Sequence, residues 1–383
     1  MTMSDALASA DFAVVTSLYP GAWRLTAEVL RTRVGHYRAA GLQGVVVHYS
    51  PEYEGDPHVR QDPVAPVIGT PPAALPGVLH LLRDAGLPAL AHAPTAEALP
   101  HLQTLIPHLG LWLHETLTID CRRLATDFTS AELNARRGEL DAGNAALRRG
   151  LRPLFVDDAV PVVSASEHQR RHADFDVDTP ATNAHVIPHH AAAAAELARV
   201  RQPGEARSLL VMTASNKHHA GGDIAVRALE MLSSRHGFND LSITVLGGGP
   251  AVGRSPLATM RNVRVMPRPP GPAERAQAAF GHGVLLSPSR WNAQDPVLMQ
   301  AMAQGMVAVT HPVGGTPEYV DDSCAVLPRA GDPWAFAEAV WDLVQHPEAM
   351  PTLSRTALQR VTTQCSWQHT IARDVELIRG LAP

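Results

Sequence analysis

Few residues in this chain have the type and setting for chemistry. Lys217 is its only lysine, and it lies in a glycine-containing loop, Ala214 to Gly222 (ASNKHHAGG), between an apolar run and a helical stretch. A lone lysine kept on such a loop invites suspicion of a role. A GC-rich genome that exchanges lysine codons for arginine would explain the scarcity without any role. Two histidine pairs, His189-His190 and His218-His219, raise the question of a metal. Adjacent histidines on a loop seldom face one ion, and no carboxylate or cysteine completes a ligand set, so no metal site is expected. Cys121, Cys324 and Cys365 are widely spaced and read as buried small hydrophobes in a reducing compartment. No Ser-His-Asp or paired-carboxylate set stands out.

The densest stretch runs from Gly283 to Asp321, GVLLSPSRWNAQDPVLMQAMAQGMVAVTHPVGGTPEYVD. Val284-Leu285-Leu286, closed by Ser287-Pro288-Ser289, has the length of a buried parallel strand. After a polar loop, Arg290 to Asp295, Pro296 stands where a helix takes its first turn, with Asp295 before it as a cap. Val297 to Gln304 reads as that helix and Gly305 as its stop. Met306 to Thr310 is a second strand, followed by the glycine turn Gly314-Gly315-Thr316-Pro317-Glu318. The result is a βαβ unit with two neighbouring loops at the carboxyl ends of its strands, the edge where open α/β sheets bind ligands.

Earlier elements alternate in the same way. Phe12–Ser17, Gly44–Tyr49, Pro88–Ala93, Gly110–His114 and Val160–Ser164 read as strands. Thr26–Ala40, Leu75–Ala85 and Leu99–Leu109 read as helices between them. Pro51–Ala74 is proline-rich and reads as a loop. Cys121–Arg149 is charged and largely helical, and Ser164-Ala165-Ser166-Glu167 caps a further helix. Ser208–Thr213, Leu241–Leu246 and Val263–Met266 are strands of a second domain, with helices at Asp223–Ser234 and Ala273–Phe280. Beyond the central stretch, Ala325–Pro328 reads as an edge strand and Pro333–Gln345 as a helix. The expected division is 1–190 and 208–365 as two domains, 191–207 as a linker, and 366–383 as a terminal helix.

With 383 residues the chain can bury two cores of ordinary size. An apolar content of 45% with 18% charged residues is that of a globular protein, and a net charge of -5 gives no footprint of nucleic-acid binding. No signal peptide is visible, and no run approaches ~18 uninterrupted apolar residues, so a cytoplasmic location is expected. Paired arginines between Cys121 and Arg149 could meet anionic lipid. Asp127, Glu132, Glu139 and Asp141 intersperse them, which favours a solvated face over membrane contact.

The central stretch resembles the donor-binding segment of family-4 glycosyltransferases, retaining enzymes of the GT-B fold. Pro288-Ser289, Ala301-Met302-Ala303, Gly305 and Gly314-Gly315-Thr316-Pro317-Glu318 fit that pattern in register. Its two glutamates fall on Asn292 and Gln300, so the spacing survives without either charge. Gly247-Gly248-Gly249-Pro250 resembles the family's G-x-G-P turn, and Val163 to Ser166 its V-S-x-S turn. Ala184–Pro188 resembles the strand that ends the first domain, with His189-His190 where Asn-Gly is usual. The likeness is specific over about the last 180 residues and topological before them.

The resemblance implies two Rossmann-like domains facing across a cleft, with the C-terminal helix crossing back to the first. It implies transfer of a sugar from a UDP- or GDP-linked donor to an unknown acceptor with retention, without a metal or other cofactor. In the family the acceptor proton is thought to pass to the departing phosphate oxygen, so no dedicated base is needed. His114, Lys217 and Asn292 are then the catalytic positions, and Gly21, Ser215, Gly248, Pro296, Val297, Leu298 and Gln300 the donor-binding ones. The family's phosphate-binding Arg and Lys fall on Ser215 and Ala220, which leaves Lys217 as the nearest cation. Asn292, Gln300, Ser215 and Ala220 together keep an alternative open. It is a non-catalytic GT-B protein that binds a nucleotide sugar or serves as partner subunit of an active glycosyltransferase. A GT-B epimerase is less well supported, for want of an acid/base set.

Overall fold

A computed structural model of the chain describes all residues except 20–24, 114–129, 192–196, 213–219, 248–251, 253–254, 267–271, 293 and 382–383. The chain divides into two compact units. The first holds the N-terminal strands, Ala131–His190 and the C-terminal helix from Trp367; the second holds Ala191–Ser366.

Among the described residues, the first unit carries strands β1 (Phe12–Thr16), β2 (Gly44–Tyr49), β3 (His58–Arg60), β4 (Val67–Thr70), β5 (Ala89–His92), β6 (Leu109–Leu113), β7 (Val162–Ser164) and β8 (Ala184–Val186). Their order in the sheet is β3-β4-β2-β1-β5-β6-β7-β8, parallel except for the β3–β4 pair. Runs such as FAVVT and VVS are buried throughout, as expected of parallel strands covered on both faces. Alternate residues of one strand feed different cores: Ala13 and Val15 lie in one cluster, Phe12 and Val14 in the other. Two expectations need correction. The proline-rich stretch 51–74 contains β3 and β4, because Val67–Thr70 pairs with β2 and is fully buried. The helix expected to run to Leu109 ends at Leu105, and Leu109 opens β6.

The second unit carries β9 (Ser208–Met212), β10 (Ser242–Leu246), β11 (Val263–Met266), β12 (Val284–Ser287), β13 (Val307–Thr310) and β14 (Ala325–Val326). The order β11-β10-β9-β12-β13-β14 is parallel throughout. The chain leaves β9 to one side for β10 and β11, then returns to its other side for β12. The gap between β9 and β12 is therefore the topological switch point, and β1 with β5 marks the corresponding point in the first unit. At the amino-terminal side, the fully buried Arg201 donates to the carbonyls of Ala279, Phe280 and Gln304. One cation thus answers the carbonyl ends of the Pro272–Phe280 and Pro296–Ala303 helices.

The last helix, Trp367–Leu381, belongs to the first unit, as the resemblance implied. Ile371, Val375, Ile378 and Leu381 join the core that holds Leu30 and Val34 of the Leu25–Ala39 helix. Within that core Asp374 is wholly buried and pairs with Arg33 Nε; Tyr37 Oη donates to it at 2.8 Å and Trp112 Nε1 at 3.2 Å. Among the described residues no helix is long and apolar enough to cross a membrane. Replacing Asp374 by Asn leaves Arg33 as a buried charge without its counter-ion, and denaturant unfolding should show a loss of about 3–5 kcal/mol. A loss below about 1 kcal/mol would show that the helix is held by apolar contact alone.

Candidate functional site

The second unit's site is built where the loops after β9 and β12 meet. Gly221 caps the Gly222–Leu232 helix with a left-handed backbone, φ 73°. A Cβ there would lie 1.9 Å from the carbonyl oxygen of Pro288, so only glycine lets the two loops close to this distance. One step further along each loop, Arg290 grips Asp223 with two parallel hydrogen bonds, Nη1 to Oδ1 at 2.6 Å and Nη2 to Oδ2 at 2.7 Å. Asp223 lies in the first turn of its helix, where a negative charge is favoured.

The loop after β13 closes the other side. Gly314 has φ 59°, and a Cβ on it would meet the Asn292 carbonyl oxygen at 1.8 Å. Gly315 N donates to that oxygen at 3.1 Å, and Thr316 Oγ1 donates to Asn292 Oδ1 at 3.2 Å. The glycine turn therefore fixes both the backbone and the side chain of Asn292. His311 is fixed as well. Gly331 N donates to its Nε2 at 3.3 Å, which leaves Nδ1 as the donor to Ser289 O at 3.1 Å. Burial lowers the His311 pKa, against the raising effect of the hydrogen bond to Ser289 O, and the charge of Arg290 adds to the lowering.

Asp295 does more than start the Pro296–Ala303 helix. Its Oδ1 accepts from Val297 N at 3.0 Å and from Leu298 N at 3.1 Å, and Ser287 Oγ donates to Oδ2 at 3.2 Å. Burial raises the pKa of this carboxyl group, against the lowering effect of those hydrogen bonds. The two amides expected to face a donor phosphate are thus satisfied by an internal carboxylate. Pro296 occupies the first helical turn and Gln300, partly exposed, begins the second.

Gly21, His114, Ser215, Lys217 and Gly248 lie outside the described residues, as do His218 and His219. Of the other candidates, the structure brings Asn292, Pro296, Val297 and Leu298 onto one loop and helix start at the carboxyl edge. His189 and His190 are buried in the first unit, and among the described residues no group of three or more His, Cys, Asp or Glu side chains is placed to hold a metal ion. Cys324 and Cys365 are buried free thiols, and Cys121 lies outside the described residues.

Sequence reasoning passed over Arg290 and Asp223, which lie far apart in the chain. It also passed over the first unit's switch point. There His92 Nδ1 lies 3.5 Å from Thr16 Oγ1, and burial lowers the His92 pKa to about 3. The adjacent Ala93 has a left-handed backbone, φ 47°, unusual for a residue with a Cβ, and its carbonyl accepts from Ser17 Oγ at 3.3 Å. Polar residues at the ends of β1 and β5 were the available signal.

Residues 207–346 match the family described as glycosyl transferases group 1. No curated protein matches the chain in sequence. Among solved structures, sucrose-phosphate synthase from Thermosynechococcus elongatus is similar with a TM-score of 0.70 at 15% identity, over 96% of this chain and 98% of that one. Anabaena HepE, solved in complex with UDP and glucose, has a TM-score of 0.67 at 13% identity, over 96% and 99% of the two chains. The α,α-trehalose 6-phosphate synthase of Burkholderia multivorans has 0.66 at 13%, over 97% and 99%. The fold is that of GT-B proteins, two Rossmann-like α/β domains.

The cap gives a direct test. Asp295→Ala removes the acceptor for two helix amides and should cost about 0.5–2 kcal/mol in unfolding experiments. Asp295→Asn keeps an acceptor oxygen and should cost clearly less. Equal losses would mean that the charge, rather than the cap, stabilises the loop.

Proposed function

We propose that this chain is a retaining glycosyltransferase that moves a sugar from a nucleotide-diphosphate donor to an acceptor, in the cytoplasm. The observation that carries the reading is a coincidence of place. The segment similar to glycosyl transferases group 1 includes the loops at the second unit's carboxyl edge, where the Gly314-Gly315-Thr316 turn grips Asn292. Anabaena HepE was crystallised with UDP-glucose and with UDP, which supports a UDP-linked donor.

In this reading the C1–O bond of the donor sugar breaks and its electrons leave with the diphosphate. The acceptor oxygen bonds to C1 on the same face, and its proton passes to the departing phosphate oxygen. The protein's work is to hold positive charge and amide hydrogens against that leaving group, and no metal ion is invoked. Lys217 supplies an ammonium from the loop after β9. Gln300 accepts a ribose hydroxyl through its amide oxygen, and Asn292 faces the donor sugar. Gly21, Ser215 and Gly248 are assigned to donor binding and His114 to catalysis by the resemblance alone. Exchanging a charged acceptor for Gln300 costs about tenfold in affinity; losing a preorganised donor at the leaving group costs about a hundredfold or more in rate.

The occupied helix amides favour a second reading. With Val297 and Leu298 already satisfied by Asp295, the chain could hold a nucleotide sugar without turning it over, or act as partner subunit to an active glycosyltransferase.

Incubation with a panel of nucleotide sugars and an acceptor mixture separates the two. Release of nucleoside diphosphate above the spontaneous rate is expected; binding without release supports the second reading. Lys217→Ala should weaken donor binding by about tenfold or more, and unchanged affinity by calorimetry would remove it from the site.

A further inference from the structure

The loops that frame the second unit's switch point contain a cation that the motif comparison does not assign. Among the described residues between β9 and the Gly222–Leu232 helix, between β12 and the Pro296–Ala303 helix, and from β13 to Gly315, Arg290 is the only arginine or lysine. It does not float on the surface. Its guanidinium is forked onto Asp223, and the contact of Gly221 with the Pro288 carbonyl sets the two loops at the spacing that pair requires. The side chains keep 22% and 42% of their exposure respectively, so a ligand at the carboxyl edge can reach both.

A carboxylate held by a bidentate guanidinium is a close steric and electronic stand-in for a phosphate oxygen pair, which the same fork binds equally well. Asp223 also lies in the first turn of a helix, a position that suits any anion. Asp295 repeats the pattern on the next helix, its carboxylate taking the amides of Val297 and Leu298. Two helix starts on either side of the switch point therefore each hold an internal carboxylate, and Arg290 is the cation tied to one of them.

We propose that Arg290 is a phosphate-binding residue of this site, which exchanges Asp223 for the diphosphate of the donor. The proposal rests on the nucleotide-diphosphate reading above and adds a cation, besides Lys217, that answers the leaving group's charge. Asp223 then acts as a placeholder: it keeps the guanidinium aimed along the loop, and its negative charge discourages anions that cannot take both arginine N–H groups.

The test is calorimetric titration of the whole protein with UDP and GDP, and with uridine and guanosine, which lack phosphate. Arg290→Ala should lower diphosphate affinity by about tenfold or more while nucleoside affinity stays as in the wild type. Arg290→Lys, which keeps the charge but loses the fork, should fall between the two. Asp223→Asn removes the competitor and should tighten diphosphate binding; it carries the test if Arg290→Ala does not fold. The inference fails if Arg290→Ala binds diphosphate as the wild type does, if it loses nucleoside and diphosphate equally, or if Asp223→Asn leaves affinity unchanged or weaker. A wild type that binds neither diphosphate overturns both the inference and the nucleotide-sugar reading. A wild type that binds a diphosphate independently of Arg290 overturns the inference alone.

Discussion

A carbonyl oxygen resting against a glycine Cα sets the geometry of the second unit. Gly221 meets Pro288 O, Gly314 meets Asn292 O, Gly283 meets Glu205 O and Gly305 meets Arg199 O, each so closely that a Cβ would fall within 2.3 Å of the oxygen. Such approaches have no soft direction, because the obstacle is backbone on both sides. The first two lie at the carboxyl edge and fix the loop after β12 from either flank. Everything chemical on that loop inherits the constraint: Arg290 is brought to Asp223, and Asn292 to Thr316. A site made on loops gains the precision of a site made on strands.

This division explains what the sequence could disclose. Parallel strands buried on both faces read as continuous apolar runs, so FAVVT, GVVVHY and VAVT announce themselves. Val67–Thr70 does not, because four residues between Pro66 and Pro71 leave no room for a pattern, and its partner β2 lies some twenty residues back along the chain. Local chemistry was equally legible. Asp295 before Pro296 reads as a cap and is one, and Ser166 accepts from Gln169 N as expected of a helix start. The cap's consequence was not legible, since a capping carboxylate and a free helix end look alike until the hydrogen bonds are drawn. Contacts between distant residues were out of reach: 67 positions separate Arg290 from Asp223, and 341 separate Arg33 from Asp374. No periodicity or spacing rule pairs such residues.

The Arg33–Asp374 pair raises a question of purpose, because a buried ion pair is often no more stabilising than apolar residues of the same volume. Here apolar contact already binds the last helix, through Ile371, Val375, Ile378 and Leu381. Such contact is tolerant of rotation and sliding by a turn. Asp374 is not tolerant, since Arg33, Tyr37 and Trp112 all direct donors at its two oxygens. Any other register would bury Arg33 without a counter-ion. The pair therefore selects one placement among several that the apolar face would accept, which fits a segment that must return to the unit where the chain began.

Charge at the second unit's carboxyl edge follows a similar logic with the opposite sign. Two helices present their starts beside the switch point, and each carries an acidic residue there, Asp223 in a first turn and Asp295 at a cap. These carboxylates satisfy the guanidinium of Arg290 and the amides of Val297 and Leu298. If Arg290 takes a diphosphate as proposed, binding is an exchange of anions, and only the difference between the two sets of contacts appears as affinity. An exchange is selective where a simple attraction is not. A monovalent anion gains too little to displace a forked carboxylate, whereas a diphosphate brings several oxygens and more charge to the same donors. Asn292 and Gln300, where the family that the sequence resembles has glutamates, fit that exchange, since two further carboxylates beside Asp223 and Asp295 would make it harder. On that proposal the acidic residues of this edge, Asp223 and Asp295, stand where a donor's phosphates would sit rather than at its sugar and ribose.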